Sequence, residues 1–297
     1  MIIVVAMLPL IRANAQDNRM YSQYMFNALA INPAYAGNQY QLSVTALNRA
    51  QWSGIEGAPI SQTLSAHYGS EKKGMGVGFI ANHDKISIHE KTQMFASYSY
   101  SIDTKKMKFA FGLQAGIESI SSDYNRLMLS DAGDPNLSGV VNRMNPNFGF
   151  GVFAHSKSGY VGFSIPTFLS RTALSSATPG ASQARSRFYI LTAGKVLSIS
   201  QSVKSKPSFL VRHQNGSPIS YDVNNTFIFN SKIFAGVSYR SSKTVVMLME
   251  FQLNENLRFG YAFDHQLNGL AQYGAASHEV MLNYRINLTH EPCHTYY

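Results

Sequence analysis

The sequence of 297 residues has little charge, one cysteine and no long apolar run. Charged residues make up 14% of the chain, whereas a soluble domain averages roughly 25%, so charge is too scarce to coat an ordinary water-facing surface. No run of 18 apolar residues is present, and a membrane-spanning helix needs about that length. The single cysteine, Cys293, excludes an intrachain disulfide framework. The remaining options are a soluble protein and a membrane protein whose apolar residues are diluted by alternation.

What the chain does have is apolar and aromatic residues, at 45% and 12% of the composition, including 17 Tyr and 18 Phe. This balance favours a surface that faces lipid. The formal net charge of +9 comes from Lys and Arg residues scattered along the chain. No basic run interleaved with aromatic residues appears, so we expect no nucleic acid among the partners.

The N-terminus reads as an export signal. Residues 1–11 form a short apolar stretch, and Ala13, Asn14 and Ala15 form a small-x-small cleavage site. We therefore expect a mature chain that begins at Gln16. No Lys or Arg precedes the apolar stretch, which departs from an ordinary signal peptide, and a buried N-terminal strand is the alternative interpretation.

After residue 40 the chain alternates apolar and polar residues in segments of eight to eleven, separated by polar breaks. Successive residues of a strand point to opposite faces, so each segment has one apolar and one polar face. The clearest segments are residues 107–118, 257–264 and 280–287. The pattern fits a soluble β-sandwich as well as a barrel with aromatic residues toward lipid. Strand number and scarcity of charge favour the barrel.

About fourteen strands are predicted, and an even number closes an antiparallel barrel without a free edge. Pro207 falls inside a predicted strand and should mark a strand start or a bulge, because proline cannot donate to the ladder. The predicted strands start near residues 40, 61, 74, 92, 107, 147, 159, 187, 207, 219, 232, 243, 256 and 277.

The predicted connections alternate in length, which supports the barrel independently. If the N-terminus lies in the periplasm, the even-numbered connections are periplasmic turns and the odd-numbered ones are extracellular loops. The even set is short: residues 69–73, 103–106, 156–158, 198–202, 230–231 and 254–256. The odd set holds every long connection: residues 52–59, 82–90, 119–146, 166–186 and 265–276.

Two N-terminal stretches differ from the strand pattern. Residues 20–37 read MYSQYMFNALAINPAYAG, and residues 48–62 read NRAQWSGIEGAPISQ, with the only tryptophan. Together they resemble the opening signature of the PorP/SprF family of type IX secretion system membrane proteins from Bacteroidota. Residues 82–86, NHDKI, are similar to the N-x-DKI segment of the family, whereas Ala28 stands where the family often has Pro. The matching positions are Ser22, Gln23, Tyr24, Met25, Phe26, Asn27, Asn32, Pro33, Ala34, Tyr35, Ala36, Gly37, Arg49, Gln51, Trp52, Gly54, Gly57, Ala58 and Pro59.

The resemblance implies an outer-membrane barrel of the type IX secretion and gliding machinery. Such a protein would bind the C-terminal sorting domain of a secreted surface protein, such as a large adhesin, and help to export it or hold it at the surface. Other secretion components and the outer-membrane bilayer would be further partners. The candidate partner-binding residues are Trp52, Gly54, Gly57, Pro59, Tyr24, Phe26, Asn32, Pro33 and Tyr35.

The motif residues also have a physical interpretation. Gly37, Gly54 and Gly57 are candidates for turns with unusual backbone angles, and the prolines would stiffen their turns. Trp52 would anchor the first extracellular loop, either in the lumen or as a contact at the extracellular rim, unless it is an aromatic-belt residue at the membrane interface. Residues 21–35 would form a plug or strap in the periplasmic mouth, with a loose periplasmic tail as the alternative.

Catalytic and metal-binding patterns are weak. The adjacent pairs His83–Asp84 and Asp264–His265 lie on strands, where neighbours point to opposite faces, so neither pair can form a dyad alone. No G-x-S-x-G elbow, P-loop or H-E-x-x-H is present. We therefore expect no enzyme, no cofactor and no metal. Two polar sets contain possible metal ligands, but neither predicts a site: Asp131, Asp134 and Asn136 lack EF-hand spacing, and a frayed terminus accounts for His290, Cys293 and His294.

The sequence thus predicts an all-β protein, a transmembrane antiparallel up-and-down β-barrel of about 14 strands with a non-barrel N-terminal segment. The expected divisions are a signal peptide at 1–15, a periplasmic plug or strap at 16–39, the barrel at 40–288 and a tail at 289–297. A porin or hydrophobic-solute outer-membrane transporter with an open lumen is the main rival function. An outer-membrane hydrolase is a third.

Overall fold

The computed structural model describes residues 21–38, 41–70, 74–126, 139–169, 187–215 and 217–286. The expected signal peptide and C-terminal tail lie outside these ranges. The strands are β1 (Leu42–Ser53), β2 (Ile60–Ser70), β3 (Met75–Ile86), β4 (His89–Asp103), β5 (Lys108–Asp123), β6 (Val140–His155), β7 (Gly159–Ile165), β8 (Phe188–Lys195), β9 (Leu197–Ser198), β10 (Val203–Gln214), β11 (Ser220–Phe229), β12 (Ile233–Arg240), β13 (Thr244–Gln252), β14 (Leu257–Gln266) and β15 (Ala276–Ile286).

The sheet closes on itself. Every long strand pairs antiparallel with the next one along the chain, and β15 returns to pair with β1 from Leu42↔Ile286 onward. The two-residue β9 is an extra strand that pairs with β10 beside β8. The predicted closed barrel of fourteen antiparallel strands is therefore confirmed. Closure gives every long strand a neighbouring strand on both sides, which a sheet in lipid requires.

The two faces of the wall follow the alternation of the sequence. On β5 the outward side chains include Phe111 and Leu113, which are 48% and 66% exposed. Their neighbours Gly112, Gln114 and Glu118 are buried on the luminal side. The apolar and aromatic face thus points outward, as predicted for a barrel rather than for a soluble sandwich.

The barrel has two distinct ends. One end, which we call the turn end, carries the start of β1, the end of β15 and the connections β2–β3, β4–β5, β6–β7, β8–β10, β11–β12 and β13–β14. The loop end carries the others. The loop-end connections include residues 124–139, 166–187 and 267–275, whereas each turn-end connection between consecutive strands is at most four residues long. The predicted difference in length between the two sets therefore holds for these connections.

One predicted loop is wrong. Residues 82–90 are almost entirely strand, because β3 continues to Ile86, β4 begins at His89, and only Ser87 and Ile88 connect them. The strands around the predicted loop 119–146 are also longer than expected, since β5 continues to Asp123 and β6 begins at Val140. Polar residues on both faces suggested loops, but a strand that projects beyond the bilayer can carry them.

Pro207 marks neither a strand start nor a bulge. It lies within β10, which begins at Val203. The register does not shift around it, since Ser205 pairs with Leu197 and Ser208 with Gly194. Pro207 instead falls in the gap between the β9 and β8 ladders, where its missing N–H removes no hydrogen bond.

Within the described ranges the helical segments are short 3-10 helices at Ala28–Ala30, Pro33–Tyr35, Tyr124–Arg126 and Gly269–Tyr273. Among the described residues, none of the helices has both the length and the hydropathy to cross a membrane.

Candidate functional site: a luminal plug and a rim loop

Residues 21–38, which we call the plug, lie inside the barrel. At one end the Tyr21 hydroxyl hydrogen-bonds Thr63 Oγ1 at 2.8 Å and Asn82 Oδ1 at 3.0 Å, in the loop-end half of the wall. At the other end Gly37 N–H donates to His67 Nδ1 at 3.3 Å, near the turn end. The plug therefore runs along the lumen, whereas the sequence predicted a plug or strap in the periplasmic mouth. Residues 16–20 and 39 of the expected segment lie outside the described ranges.

A buried ion network holds the start of the plug. Arg49 on β1 pairs with Asp264 at 2.6 Å and with Glu279 at 3.1 Å. Arg240 on β12 pairs with Asp264 at 3.3 Å and with Asp222 at 3.2 Å. Five strands contribute to this network, and removing one charge from such a buried set leaves its partner without compensation.

Ser22 lies at the centre of the network. Its hydroxyl donates to Asp264 Oδ1 at 2.7 Å and accepts from Arg49 Nη1 at 2.8 Å. Its backbone N–H donates to Glu279 Oε2 at 2.9 Å, and the N–H of Gln23 donates to Glu279 Oε1 at 2.8 Å. The network contains three carboxylates and two guanidinium groups, so these donors of the plug stabilise the excess negative charge.

Glycines on the luminal wall make room for the plug backbone. A Cβ atom on Gly112 would collide with the backbone of Pro33 and Ala34, and one on Gly69 would collide with the Gly37 carbonyl. The same holds for Gly76 against the Ala36 carbonyl, for Gly151 against Asn32 Oδ1 and for Gly260 against Gln23 Oε1. The close approach of the plug thus explains the glycine at these strand positions, by its backbone at Gly69, Gly76 and Gly112 and by side-chain oxygens at Gly151 and Gly260.

The five candidate residues in the plug are brought together in the lumen, and none forms an outer surface. Tyr24, Asn32, Pro33 and Tyr35 are buried, and Phe26 is half-buried, edge-on to Phe234 at 6.1 Å between ring centroids. The Tyr35 ring lies edge-on to His67 and Phe153 at 5.8 and 5.5 Å. These aromatic contacts and the burial they give stabilise the seated plug.

Asn32 and Pro33 fix a turn in the plug. Asn32 Oδ1 accepts the N–H of Ala34 at 2.9 Å and caps the 3-10 turn Pro33–Tyr35. Its Nδ2 donates to the Val152 carbonyl on β6 at 3.0 Å, which ties the turn to the wall. Pro33 occupies the first position of the turn, where a missing N–H has no cost. Gly37 follows at φ +68°, an angle that favours glycine.

The other four candidate residues lie at the loop end, Trp52 in the last two residues of β1 and the rest in the β1–β2 connection. We call residues 52–59 the rim loop. Gln51 N–H donates to the Pro59 carbonyl at 2.9 Å and closes its base, and Ser87 N–H donates to the Gly57 carbonyl at 3.0 Å, which attaches it to the β3–β4 turn. Gly54 and Gly57 have φ of +100° and +72°, as the glycine pattern predicted. The loop is therefore held by backbone hydrogen bonds rather than by a core of its own.

Trp52 begins the rim loop at an irregularity of β1, where the register with β15 shifts between Ala50 and Ser53. Its φ is +50°, and its N–H donates to Ser277 Oγ at 3.2 Å. The residue is half-buried, so part of the indole remains accessible. Arg49, which holds the plug, precedes Trp52 by three residues, so strand β1 connects the plug and the rim loop directly.

Sequence reasoning missed Asp222, Arg240, Asp264 and Glu279 as the residues that position the plug. Arg49 was among the motif positions, but without a role. A usable signal was present, since charges on the luminal face of a charge-poor barrel need opposite charges nearby. The sequence did not indicate which strands bring those charges together.

Neither adjacent pair, His83–Asp84 or Asp264–His265, forms a group of catalytic residues. Asp264 is buried in the lumen while His265 is exposed on the other face, and His83 Nδ1 contacts Thr92 Oγ1 at 3.0 Å. Within the described ranges no three His, Cys, Asp or Glu side chains are grouped to hold a metal ion. The candidate ligands at 131–136 and 290–294 lie outside those ranges.

Comparison with known families identifies the chain. The family described as "Type IX secretion system membrane protein PorP/SprF" matches residues 13–284, nearly the whole chain. The protein belongs to the PorP/SprF family. The resemblance seen in residues 20–62 is thereby confirmed, and this PorP/SprF protein is an outer-membrane component of type IX secretion. No curated protein matches the chain.

Solved structures similar to this PorP/SprF protein are outer-membrane barrels. The Acinetobacter baumannii outer membrane protein Omp33 is 8% identical over 84% of this chain and 100% of its own, with a TM-score of 0.50. The Pseudomonas putida toluene transporter TodX is 11% identical over 92% of this chain and 95% of its own, also at 0.50. At such identities the likeness concerns the fold alone.

Proposed function

We propose that this PorP/SprF protein binds the C-terminal sorting domain of a secreted surface protein at its loop end and assists the export or surface anchoring of that protein, including adhesins used in gliding. Membership in a type IX secretion family carries this proposal. Two features of the barrel support it. The plug occupies the lumen, which suits a partner-binding protein better than an open pore, and the rim loop is preformed at one end.

The proposal assigns the loop end to the cell surface. In barrels of the outer membrane, short turns face the periplasm and long loops face outward. The long connections 124–139 and 166–187 and the rim loop belong to the same end. A secreted partner that emerges at the surface would meet this end first.

The candidate residues divide into two roles in this proposal. Trp52, Gly54, Gly57 and Pro59 form the contact surface, with the half-exposed indole as its apolar anchor. The plug residues act indirectly, because they are buried beneath the rim. Through Arg49 and strand β1, a seated plug keeps the rim loop in its bound geometry, and preorganised loops bind with a smaller entropy cost.

The test is an affinity pull-down of the tagged full-length protein from detergent-solubilised outer membranes, with mass spectrometry of the co-purified proteins. We expect recovery of a secreted protein with a C-terminal sorting domain. Trp52→Ala should reduce that recovery about tenfold or more, since an interface tryptophan commonly contributes about 2 kcal/mol. Pro59→Ala, which loosens the base of the rim loop, should reduce it less.

The matched control is Ile219→Ala, because Ile219 is 61% exposed at the loop end between β10 and β11, across the barrel from the rim loop. Recovery should be unchanged. If the sorting-domain protein is recovered equally well with Trp52→Ala and Pro59→Ala, the rim loop is not the contact surface. If no such protein co-purifies with the unmodified chain, partner binding itself is wrong.

Transport of a small apolar solute is the second candidate, and one feature favours it. A cavity of about 70 Å³ lies between the plug and the wall and is lined by Ile80, Phe95, Ile190 and Leu210 among others. These apolar side chains favour contact with an apolar molecule over contact with an ion. Uptake of a monoaromatic hydrocarbon into proteoliposomes, above that of empty liposomes, would favour the transporter.

A further inference from the structure

The formal charge of the barrel is concentrated at the turn end. Among the described residues, ten lysines and arginines and three carboxylates lie on the turn-end connections or within four residues of them along the strands, a balance of +7. The remainder of the described chain, at the loop end, carries nine cations and eight carboxylates, a balance of +1. The scattered basic residues of the sequence are thus gathered by the fold at one end.

Half of the turn-end cations are exposed on the connections. Lys105, Lys106, Lys157 and Lys232 follow β4, β6 and β11, and Lys195 is the last residue of β8, so the five lie around the barrel from β4 to β12. None of the five makes an ion pair with another described residue. Their charges therefore add up over the turn end, and the electric field of such an array attracts a negatively charged surface.

The other half lines the mouth of the lumen at the same end. Lys108 and Lys206 are buried, and Lys204, Arg258 and Arg285 are half-buried. The three carboxylates at this end are Asp103, Glu250 and Glu255, and Glu250 pairs with Arg258 at 3.0 Å. Cations thus lie inside the mouth of the lumen as well as on the exposed turn end around it.

We propose that the turn end is a docking surface for the acidic face of a partner protein, with the exposed lysines as its outer contacts and the half-buried Lys204, Arg258 and Arg285 of the mouth as its centre. The inference goes beyond cargo recognition at the loop end and does not depend on it. The alternative occupant is anionic lipid. Lipid headgroups surround the barrel from outside, however, and cannot reach the half-buried cations inside the mouth, whereas an acidic segment that caps the mouth can.

The experiment uses the full-length protein in nanodiscs of neutral phosphatidylcholine, which expose both ends, and a short polyglutamate peptide as the acidic probe. Binding is measured by calorimetry at low and at high salt. We expect binding that weakens steeply with salt, because exposed charges are screened within about a Debye length. Lys157→Glu with Lys232→Glu should weaken it about tenfold, because each reversal turns an attraction into a repulsion.

The matched control reverses two exposed loop-end cations, Arg126→Glu with Lys243→Glu, which changes the net charge by the same amount. Its binding should stay within about twofold of the unmodified protein. Three results would overturn the proposal. These are an absence of polyglutamate binding at low salt, an equal loss in the two paired variants, and a loss of binding when phosphatidylglycerol replaces part of the lipid, which would assign the lysines to headgroups.

Discussion

The carboxylate of Glu279 on the last strand accepts the backbone N–H of Ser22 at 2.9 Å, across 257 residues of sequence. With the second bond, from Gln23 N–H at 2.8 Å, it holds the plug by its main chain. Both carboxylate oxygens are used, and Arg49 pairs with one of them. The plug therefore depends on the barrel being closed, since strands β1 and β15 meet only at the closure.

Glu279→Gln tests this contact. The amide keeps the shape of the side chain but removes the charge that compensates Arg49, and it presents an NH₂ group to the backbone donors of the plug. We expect a loss of about 3 kcal/mol or more in the free energy of unfolding, because breaking one partner of a buried ion pair costs about 3–5 kcal/mol. Urea unfolding in lipid vesicles, followed by heat-modifiable mobility on gels, measures it.

Glu90→Gln is the control for that variant, because Glu90 pairs with Lys85 at 2.8 Å on an exposed surface. Exposed pairs contribute about 0–1 kcal/mol, so its unfolding midpoint should barely move. Equal effects of the two substitutions would mean that the buried network does not hold the plug.

The glycines that face the plug should not tolerate a methyl group. Gly112→Ala places a Cβ inside the contact distance of Ala34 and Pro33, so the plug must shift. We expect a loss of about 1–3 kcal/mol, as for other overpacked sites. At Gly269 a Cβ meets nothing within 4 Å, and Gly269→Ala should stay within about 0.5 kcal/mol. An unchanged unfolding curve for Gly112→Ala would place the plug elsewhere.

Gly57→Ala tests the rim loop without touching the plug. Gly57 has a φ of +72°, and an alanine there costs about 1–2 kcal/mol in the left-handed region. The loop should then leave Ser87 and capture less of the sorting-domain partner in the pull-down, while the free energy of unfolding of the barrel falls by no more than that cost. Gly269→Ala, also at the loop end, should capture as much as the unmodified protein. Full capture by Gly57→Ala would exclude a preformed loop as the binding element.

The alternation of the strands could be predicted from the sequence because it depends on local chemistry. In residues 107–118 every second residue is apolar, and these side chains face outward. The prediction of strands from alternation failed where both faces are polar, as in residues 82–86, which continue β3 rather than forming a loop. Alternation of polarity indicates a strand only where one face meets lipid.

The arrangement of the lumen could be predicted only in part. The composition of residues 20–37 indicated a packed segment, and the family resemblance selected Asn32, Tyr35 and Trp52. The bonds of Ser22 to Asp264 and Glu279 depend on which strands meet at the closure, and no pattern within a single strand encodes that. The plug also explains the lack of a side chain at Gly112, which its backbone approaches, and at Gly151, which the Asn32 side chain approaches.

The central claim is that the plug occupies the lumen, and a disulfide tests it most directly. A Cβ on Gly78 would lie 3.2 Å from the Cβ of Ala36, close to the roughly 3.5–4.5 Å of a disulfide. The paired variant Ala36→Cys with Gly78→Cys, in a Cys293→Ser background, should oxidise and leave no thiol for labelling after denaturation. The control variant pairs Ala36→Cys with Phe79→Cys, because the Phe79 side chain is 44% exposed on the outer face. Both thiols of this control should be labelled. Complete labelling of the Ala36 and Gly78 pair after oxidation would contradict a seated plug.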